Sequence, residues 1–207
     1  TQVYTYNNNN QLLTYTKDNI TYQIIYDLNG NALSHLGASL SYDGNKLSSY
    51  TKDNTTITYS YNSSGIRIMK IVNGIKYEYV VLGNKIIQQN IYSSENVLDY
   101  YLRFMYDEND NVLGFELILN DGTIHKTIYY VKNFQNDIIK LIDDEGNIVG
   151  EYIYDAYGNV ININELSIFA YENPFRYKSY FHDQETNLYY CNTRYYSPEI
   201  CRWISMD

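Results

Sequence analysis

The sequence contains little of what many protein classes require. It has only 2 Pro, 2 Cys and 3 His in 207 residues. The three histidines do not lie at metal-ligand spacing from a cysteine or from one another. No nucleotide-binding glycine motif and no G-x-S-x-G motif is present, so the sequence signals of several common enzyme classes are missing. We therefore predict no metal site and no cofactor.

Long apolar runs are also missing. No apolar run exceeds about five residues, whereas a membrane-spanning helix needs about 20. The opening residues, TQVYTYNNNN, include no basic residue and no apolar stretch of the kind that forms a secretion signal. We expect no membrane span in this chain. We expect any secretion signal to lie outside it, in a longer protein of which this chain is a fragment.

Positive charge is scarce. The chain has 15 Lys and Arg against 24 Asp and Glu, which gives a net charge of −9. A nucleic-acid-binding face needs clustered Lys and Arg, and no two of these residues are adjacent here. We predict no nucleic-acid partner. Cys191 and Cys201 leave two alternatives open, a single bridge across a hairpin and two free, half-buried thiols, and the second is favoured.

Tyrosine, by contrast, is abundant. The chain has 27 Tyr, and many of them alternate with polar residues, as in ITYSY at 57–61 and EYIY at 151–154. Alternation with period two is typical of half-buried strands. Turn pairs such as Asn29-Gly30 and Asn73-Gly74 separate these runs. We predict an all-β fold of consecutive antiparallel hairpins forming one long curled sheet, with more than about 40% strand and less than about 10% helix.

A short motif that begins with Tyr-Asp recurs along the chain. It reads YDLNGN at 26–31, YDGN at 42–45, YDENDN at 106–111 and YDAYGN at 154–159, with a degenerate copy, YNSSG, at 61–65. We predict that its Tyr ends a strand and packs on a neighbour. We predict that its Asp accepts hydrogen bonds from the turn amides, while Gly and Asn take left-handed positions. Each repeat then corresponds to about one hairpin.

These units resemble the YD repeats of the Rhs family, and residues 173–207 resemble the C-terminal part of the Rhs repeat-associated core. That core typically runs N-P-[FL]-R-[YF]-x-G-x-x-x-D-x-E-T-G-L-Y-Y, then R-Y-Y-[DS]-P-x-x-G-R-[FW]-[IL]-S-x-D. The matching residues are Pro174, Phe175, Arg176, Asp183, Glu185, Thr186, Leu188, Tyr189, Tyr190, Arg194, Tyr195, Tyr196, Pro198, Arg202, Trp203, Ser205 and Asp207.

Three residues depart from this pattern, because Ser179, Asn187 and Cys201 stand where Gly is usual. Asn tolerates a left-handed backbone, whereas a cysteine is strained there. The resemblance divides the chain into a YD-repeat sheet at residues 1–172 and a core segment at residues 173–207.

The resemblance implies that the sheet is part of a hollow shell in a bacterial polymorphic toxin, similar to Tc-toxin cocoons. Such a shell is secreted or exposed on the bacterial surface and encloses a C-terminal toxic domain, which this chain does not include. Its partners would be its own toxin domain or other shell segments. The alternative is a secreted or wall-associated module that binds cell-surface glycans through a Tyr-rich face.

The resemblance also implies that family members cut their own chain downstream of the core, with two aspartates acting as an aspartic-protease-like pair. These aspartates map to Asp183 and Asp207. The bond to be cut would follow Asp207, so we expect this chain by itself to be inactive. The alternative is that Asp183 caps a turn and Asp207 is merely the last ordered residue.

Arg176, Arg194 and Arg202 lie among aromatic residues of the same segment. We predict a structural role for them, in which the guanidinium groups stack on rings and bond to strand-end carbonyls. We predict that Trp203 is a packing anchor for the end of the segment.

Overall fold

The computed structural model describes residues 2–164 and 167–205, which form three antiparallel sheets. Strands make up 59% of the chain and helix 4%, so the prediction of an all-β fold built from hairpins is confirmed. The first sheet has the order β1-β2-β3, the second runs without a crossover from β4 to β16, and the third has the order β17-β18-β19-β20. The strands are β1 Gln2–Tyr6, β2 Leu12–Lys17, β3 Ile20–Gln23, β4 Ser34–His35, β5 Ala38–Asp43, β6 Lys46–Lys52, β7 Thr55–Tyr61, β8 Arg67–Val72, β9 Ile75–Leu82, β10 Lys85–Tyr92, β11 Leu98–Tyr106, β12 Val112–Leu119, β13 Ile124–Lys132, β14 Ile138–Asp143, β15 Ile148–Tyr154, β16 Val160–Asn164, β17 Phe181–Asp183, β18 Leu188–Cys191, β19 Arg194–Ser197 and β20 Arg202–Trp203.

Among residues 2–164 and 167–205, helical structure is limited to two short pieces between the second and third sheets. Helix α1 spans Ile168–Glu172, and a 3-10 turn spans Tyr177–Ser179. The buried Ala170 of α1 packs closely on Gly150. A Cβ atom added at Gly150 would lie 2.6 Å from the Cβ of Ala170. The helix is thereby fixed against β15.

Residues 167–205, called the inner segment below, lie against one face of the sheets. Tyr15 on β2 donates a hydrogen bond to Glu199, and Tyr152 on β15 donates one to the carbonyl of Ala170. Strands between these two also contact the inner segment, for example Phe104 on β11, whose ring lies 4.9 Å from that of Phe175. The strands from β2 to β15, called the wall below, therefore curl around the inner segment and share one core with it.

The YD-type turns have a common hydrogen-bond pattern. In the last copy, Asp155 Oδ1 accepts the backbone N–H groups of Tyr157 and Asn159, and Asp155 Oδ2 accepts the Asn159 side chain. Asp27 and Asp107 bind their turns in the same way. This confirms the role predicted for the aspartate.

Two details of the predicted turn are wrong. Asn31 and Asn159 keep an ordinary backbone, and only the glycine before each is left-handed, with φ of 83° at Gly30 and 94° at Gly158. The asparagine is needed instead for its amides, which bind the aspartate. The copy at 42–45 is a different turn, since Asp43 pairs directly with Lys46 across a two-residue hairpin.

The tyrosine of the motif reaches back to an earlier strand. Its hydroxyl donates to the main-chain carbonyl of a residue 14 to 20 positions upstream in four copies. A ring can therefore be packed in the core while its polar end is satisfied by the sheet. The pairs are Tyr26 to Leu12, Tyr61 to Leu47, Tyr106 to Ile86 and Tyr154 to Ile138.

The inner segment also binds the last YD turn, which directly follows β15. Tyr177 donates its hydroxyl to Ala156 O, and Tyr189 donates to Gly158 O. A Cβ placed on Gly158 would lie 2.5 Å from Cδ1 of Tyr177. Gly158 is thus needed both for its positive φ and for the close approach of a ring.

We expect Gly158→Ala to destabilise the fold more than Gly146→Ala. Both glycines have positive φ, so each alanine should lower the free energy of unfolding by about 1–2 kcal/mol. Only at Gly158 would the added Cβ atom clash with a ring, that of Tyr177. At Gly146 nothing lies within 4 Å of the added Cβ atom. Overpacking should add at least about 1 kcal/mol at Gly158. Urea unfolding of both variants measures the difference, and equal losses would show that the Tyr177 contact is unimportant.

Candidate functional site

A buried ion pair connects the wall to the inner segment. Arg67, the first residue of β8, and Asp183, the last residue of β17, are both fully buried. Arg67 Nη1 lies 2.5 Å from Asp183 Oδ2. The two residues are 116 positions apart in the sequence, so this contact forms only when the inner segment is seated on the wall.

A second cation completes the site. Lys70 Nζ lies 3.3 Å from Asp183 Oδ1 and 2.9 Å from Glu185 Oε2. Burial alone would raise the pKa of Asp183, but the charges of Arg67 and Lys70 outweigh burial and hold this pKa below its ordinary value. Asp183 is therefore ionised at neutral pH and acts as an acceptor, not as a proton donor.

Five aromatic rings surround the Arg67 guanidinium, with centroids 4.4 to 5.9 Å from its carbon. In the part of the chain that the structure describes, Nε and Nη2 have no hydrogen-bond partner, so ring faces take the place of polar partners around these nitrogens. Two of the rings belong to the wall and three to the inner segment. They are Tyr59, Tyr79, Phe181, Tyr190 and Tyr195.

The structure describes only one of the two aspartates predicted to form the catalytic pair. Asp183 lies in the ion pair, while Asp207 lies outside the described residues. The side chain of Asp183 does not bind the following turn; its backbone carbonyl does, by accepting the N–H of Thr186. The pairing of Asp183 with Asp207 stays a prediction.

The predicted structural arginines each lie over a ring. The guanidinium of Arg176 is buried and 5.0 Å from the ring of Tyr152. Arg194 lies 4.2 Å from Trp203, and Arg202 lies 4.7 Å from Tyr6. The indole of Trp203 is 38% exposed, so it covers Arg194 at the surface.

Sequence reasoning missed Arg67 and Lys70. The signal that could have identified them is their position in GIRIMKIV (65–72), where two cations interrupt an otherwise apolar strand. Charged residues are almost never fully buried without a partner, so such a strand predicts a carboxylate elsewhere. Nothing in the sequence indicates that the partner is Asp183.

Other potential chemistry is limited within the described residues. They contain no group of three or more His, Cys, Asp or Glu residues that could hold a metal ion. No helix in this part of the chain is long and apolar enough to cross a membrane. Cys191 and Cys201 are free thiols, which decides between the two alternatives above. Burial raises the pKa of Cys191 to about 12, so this thiol is a poor nucleophile.

Comparison with curated proteins gives relatives that are named as tRNA nucleases. The chain is 31% identical over 143 residues to a tRNA3(Ser)-specific nuclease, WapA, of Bacillus spizizenii. It is 33% identical over 149 residues to the tRNA nuclease WapA of Bacillus subtilis. Each match covers 69% of this chain, and the chain spans only 6% of the length of each relative. No family model matches the chain.

The fold is that of Tc-toxin components. The structure of TcdB2-TccC3-Cdc42 matches 100% of this chain, with a TM-score of 0.75 and 20% sequence identity, and the match covers 12% of that protein. The Tc holotoxin pore of Photorhabdus luminescens also matches 100% of the chain, at a TM-score of 0.62 and 19% identity. Both the wall and the inner segment are therefore similar in fold to a stretch of these assemblies.

We expect the loss of either partner of the buried ion pair to destabilise the fold strongly. Arg67→Met leaves the Asp183 charge buried with Lys70 alone, and Asp183→Asn leaves two buried cations. Each should lower the free energy of unfolding by about 3–5 kcal/mol. The double variant should lose less than the sum, because neither charge is then left without its partner.

The matched control is Arg103→Met. Arg103 Nη2 lies 2.7 Å from Glu116, but its side chain is 50% exposed, so its loss should cost less than about 1 kcal/mol. Urea unfolding of the four variants measures these differences. If Arg67→Met loses no more than Arg103→Met, the buried pair does not hold the inner segment.

Proposed function

We propose that this chain is a section of an Rhs-type toxin shell that encloses a C-terminal toxic domain. The observation that carries the proposal is the inner segment, which the wall curls around and binds through the Arg67–Asp183 pair. A sheet that only displayed a binding face would have no need to bury its Tyr-rich surface against its own C-terminal residues. The fold likeness to Tc-toxin components and the similarity to WapA nucleases support the same conclusion.

In this proposal the inner segment closes the shell and fixes where the chain continues. Its contacts run from β2 to β15, so it touches wall strands across most of the described chain. A shell of this kind belongs to a secreted or surface-exposed bacterial protein, and its partners are the toxic domain and neighbouring shell segments. No contact in the described residues favours the alternative of a glycan-binding module.

Protease protection of the full-length protein tests the proposal. We expect the part of the protein that follows this chain to resist a protease in the native protein and to be degraded in the Arg67→Met variant, whose closure is weakened. Arg103→Met, which alters an exposed pair, should keep the protection. Mass spectrometry of the digest identifies the protected fragments. If the downstream part is degraded as fast in the native protein as in the variant, it is not enclosed.

Self-cleavage by Asp183 and Asp207 is a second part of the proposal. Two carboxylates brought together cannot both ionise, and the one with the lower pKa keeps its charge. The cations Arg67 and Lys70 hold Asp183 in the charged form. In such a pair Asp207 would therefore carry the shared proton and donate it to the scissile carbonyl, while Asp183 would accept the proton of the attacking water.

The protein extended through its natural downstream residues tests this assignment on a denaturing gel. We expect the extended protein to separate into two bands, and Asp183→Asn and Asp207→Asn to stay intact. Arg103→Met is the control, because it alters an exposed ion pair away from both carboxylates, and it should still be cut. A two-band pattern that persists at the same position in both aspartate variants would show that another group cuts the chain.

A further inference from the structure

A cavity of about 770 Å³ lies where β1, the last YD turn and the end of the inner segment meet. It is separate from the buried ion pair, because neither Arg67 nor Asp183 lines it. Ligand-binding cavities are commonly of this size. It is called the edge cavity below, and the lining residues that matter are Tyr4, Tyr6, Tyr157, Arg194, Arg202 and Trp203.

The charges at the edge cavity are of one sign. Among the residues that the structure describes, those with a charge in its lining are Arg194 and Arg202, and no carboxylate lines it. Burial, and then the charges of Asp155 and Glu199, raise the pKa of Cys201 in the lining, so two carboxylates lie near. Both are engaged elsewhere, since Asp155 binds the amides of its own turn and Glu199 pairs with a lysine of the wall. The cavity is therefore locally positive in a chain of net charge −9.

Both guanidinium groups are stacked on rings that line the cavity. The guanidinium carbon of Arg194 lies 4.2 Å from the ring centroid of Trp203, and that of Arg202 lies 4.7 Å from the centroid of Tyr6. Trp203 is 38% exposed and Tyr6 is 43% exposed, so a ligand can reach these groups. A ring covers the face of a guanidinium, whereas a carboxylate binds at its edge, so both contacts can form at once. Within the described residues, Arg202 forms no hydrogen bond or ion pair.

Strand β20 runs between the two guanidinium groups. The register of β19 and β20 places Arg194 and Trp203 on one face of the third sheet and Arg202 on the other. Since β20 is the last strand of this sheet, its second edge pairs with no strand among the described residues. The N–H of Ile204 bonds to the carbonyl of Tyr195 on β19. Because backbone groups alternate in direction along a strand, those of Trp203 face away from β19, toward the unpaired edge.

We propose that the edge cavity is a docking site for an acidic, extended peptide segment of a partner protein. Such a segment pairs its main chain with the edge of β20 and places neighbouring carboxylates against Arg194 on one face and Arg202 on the other. Tyr, Trp and Arg, which line the cavity, are also the residue types that dominate the binding energy of protein interfaces. A nucleic acid is disfavoured, because its run of phosphates would extend beyond the two arginines over a chain of net negative charge. The proposal does not depend on the shell function.

The fluorescence of Trp203 tests this site, because Trp203 is the one tryptophan of the chain and lines the cavity. The chain is titrated at constant ionic strength with the blocked peptide Val-Thr-Glu-Glu-Thr-Val and, separately, with Val-Thr-Gln-Gln-Thr-Val, which has the same shape without charge. We expect a saturable change with the glutamate peptide and binding at least about tenfold weaker with the glutamine peptide. A short oligouridylate, added in a third titration, should bind more weakly than the glutamate peptide.

Two arginine variants then locate the binding. Arg202→Gln should weaken the binding of the glutamate peptide by about tenfold or more, because it removes the cation on one face of β20. Arg103→Gln is the matched control, since Arg103 is half-exposed and does not line the cavity, and it should bind like the native chain. Both substituted residues are partly exposed, so neither change removes a buried core side chain.

Three results would each overturn the proposal. The first is that the glutamate peptide gives no saturable change or binds no better than the glutamine peptide. The second is that Arg202→Gln binds the glutamate peptide as well as Arg103→Gln does. The third is that the oligouridylate binds more tightly than the glutamate peptide, which would assign the cavity to a nucleic acid.

Discussion

The buried pair of Arg67 and Asp183 is the constraint on which the rest of the structure depends. Moving an ion out of water costs roughly several kcal/mol of solvation free energy. Only a well-placed counter-ion and hydrogen bonds offset this cost. Here each charge is supplied by a different part of the chain, so neither part can bury its charge alone. The wall without the inner segment would present a guanidinium on its concave face. The pair therefore selects one seating of the inner segment, and the five rings around Arg67 fix that seating in detail.

Tyrosine makes a core of this kind feasible in a chain with few large aliphatic side chains. At the end of each such strand, one side chain must fill the core and also place a polar group near the turn. The ring and the hydroxyl of a YD tyrosine do both. Their hydroxyls bind main-chain carbonyls one hairpin upstream, as Tyr154 does at Ile138. Each turn is thereby tied to the previous hairpin as well as to its own strands. The repeat is thus a connection between neighbours, which suits a wall that is extended by adding hairpins.

The sequence was sufficient for the fold because its signals are local. Period-two alternation and turn pairs specify hairpins, and consecutive hairpins with short turns can only pair in chain order. The role of the turn aspartate was also predictable, since its partners are two and four residues away. The site was not predictable to the same degree. Arg67 and Asp183 meet only through the curl of the sheet, and no local pattern encodes that curl. The role of Asn159 was misjudged because Asn is common both in left-handed positions and as a hydrogen-bond donor, and the sequence does not separate the two.

The inner segment carries strain that the wall must offset. Ser179, Asn187 and Cys201, which stand where the Rhs pattern has glycine, all keep a left-handed backbone, with φ of 54°, 55° and 56°. A side chain in this conformation costs about 1–2 kcal/mol, less for Asn. A free segment of this length would relax these turns. The sheet binds two of these turns, because Asn136 O accepts a hydrogen bond from Ser179 Oγ and Asn159 Nδ2 donates one to Pro198 O beside Cys201. At Asn187 the supporting bond, to His182, lies within the inner segment itself. The conformation of the inner segment is therefore a property of the closed wall, and opening the wall would release the segment as well as expose it.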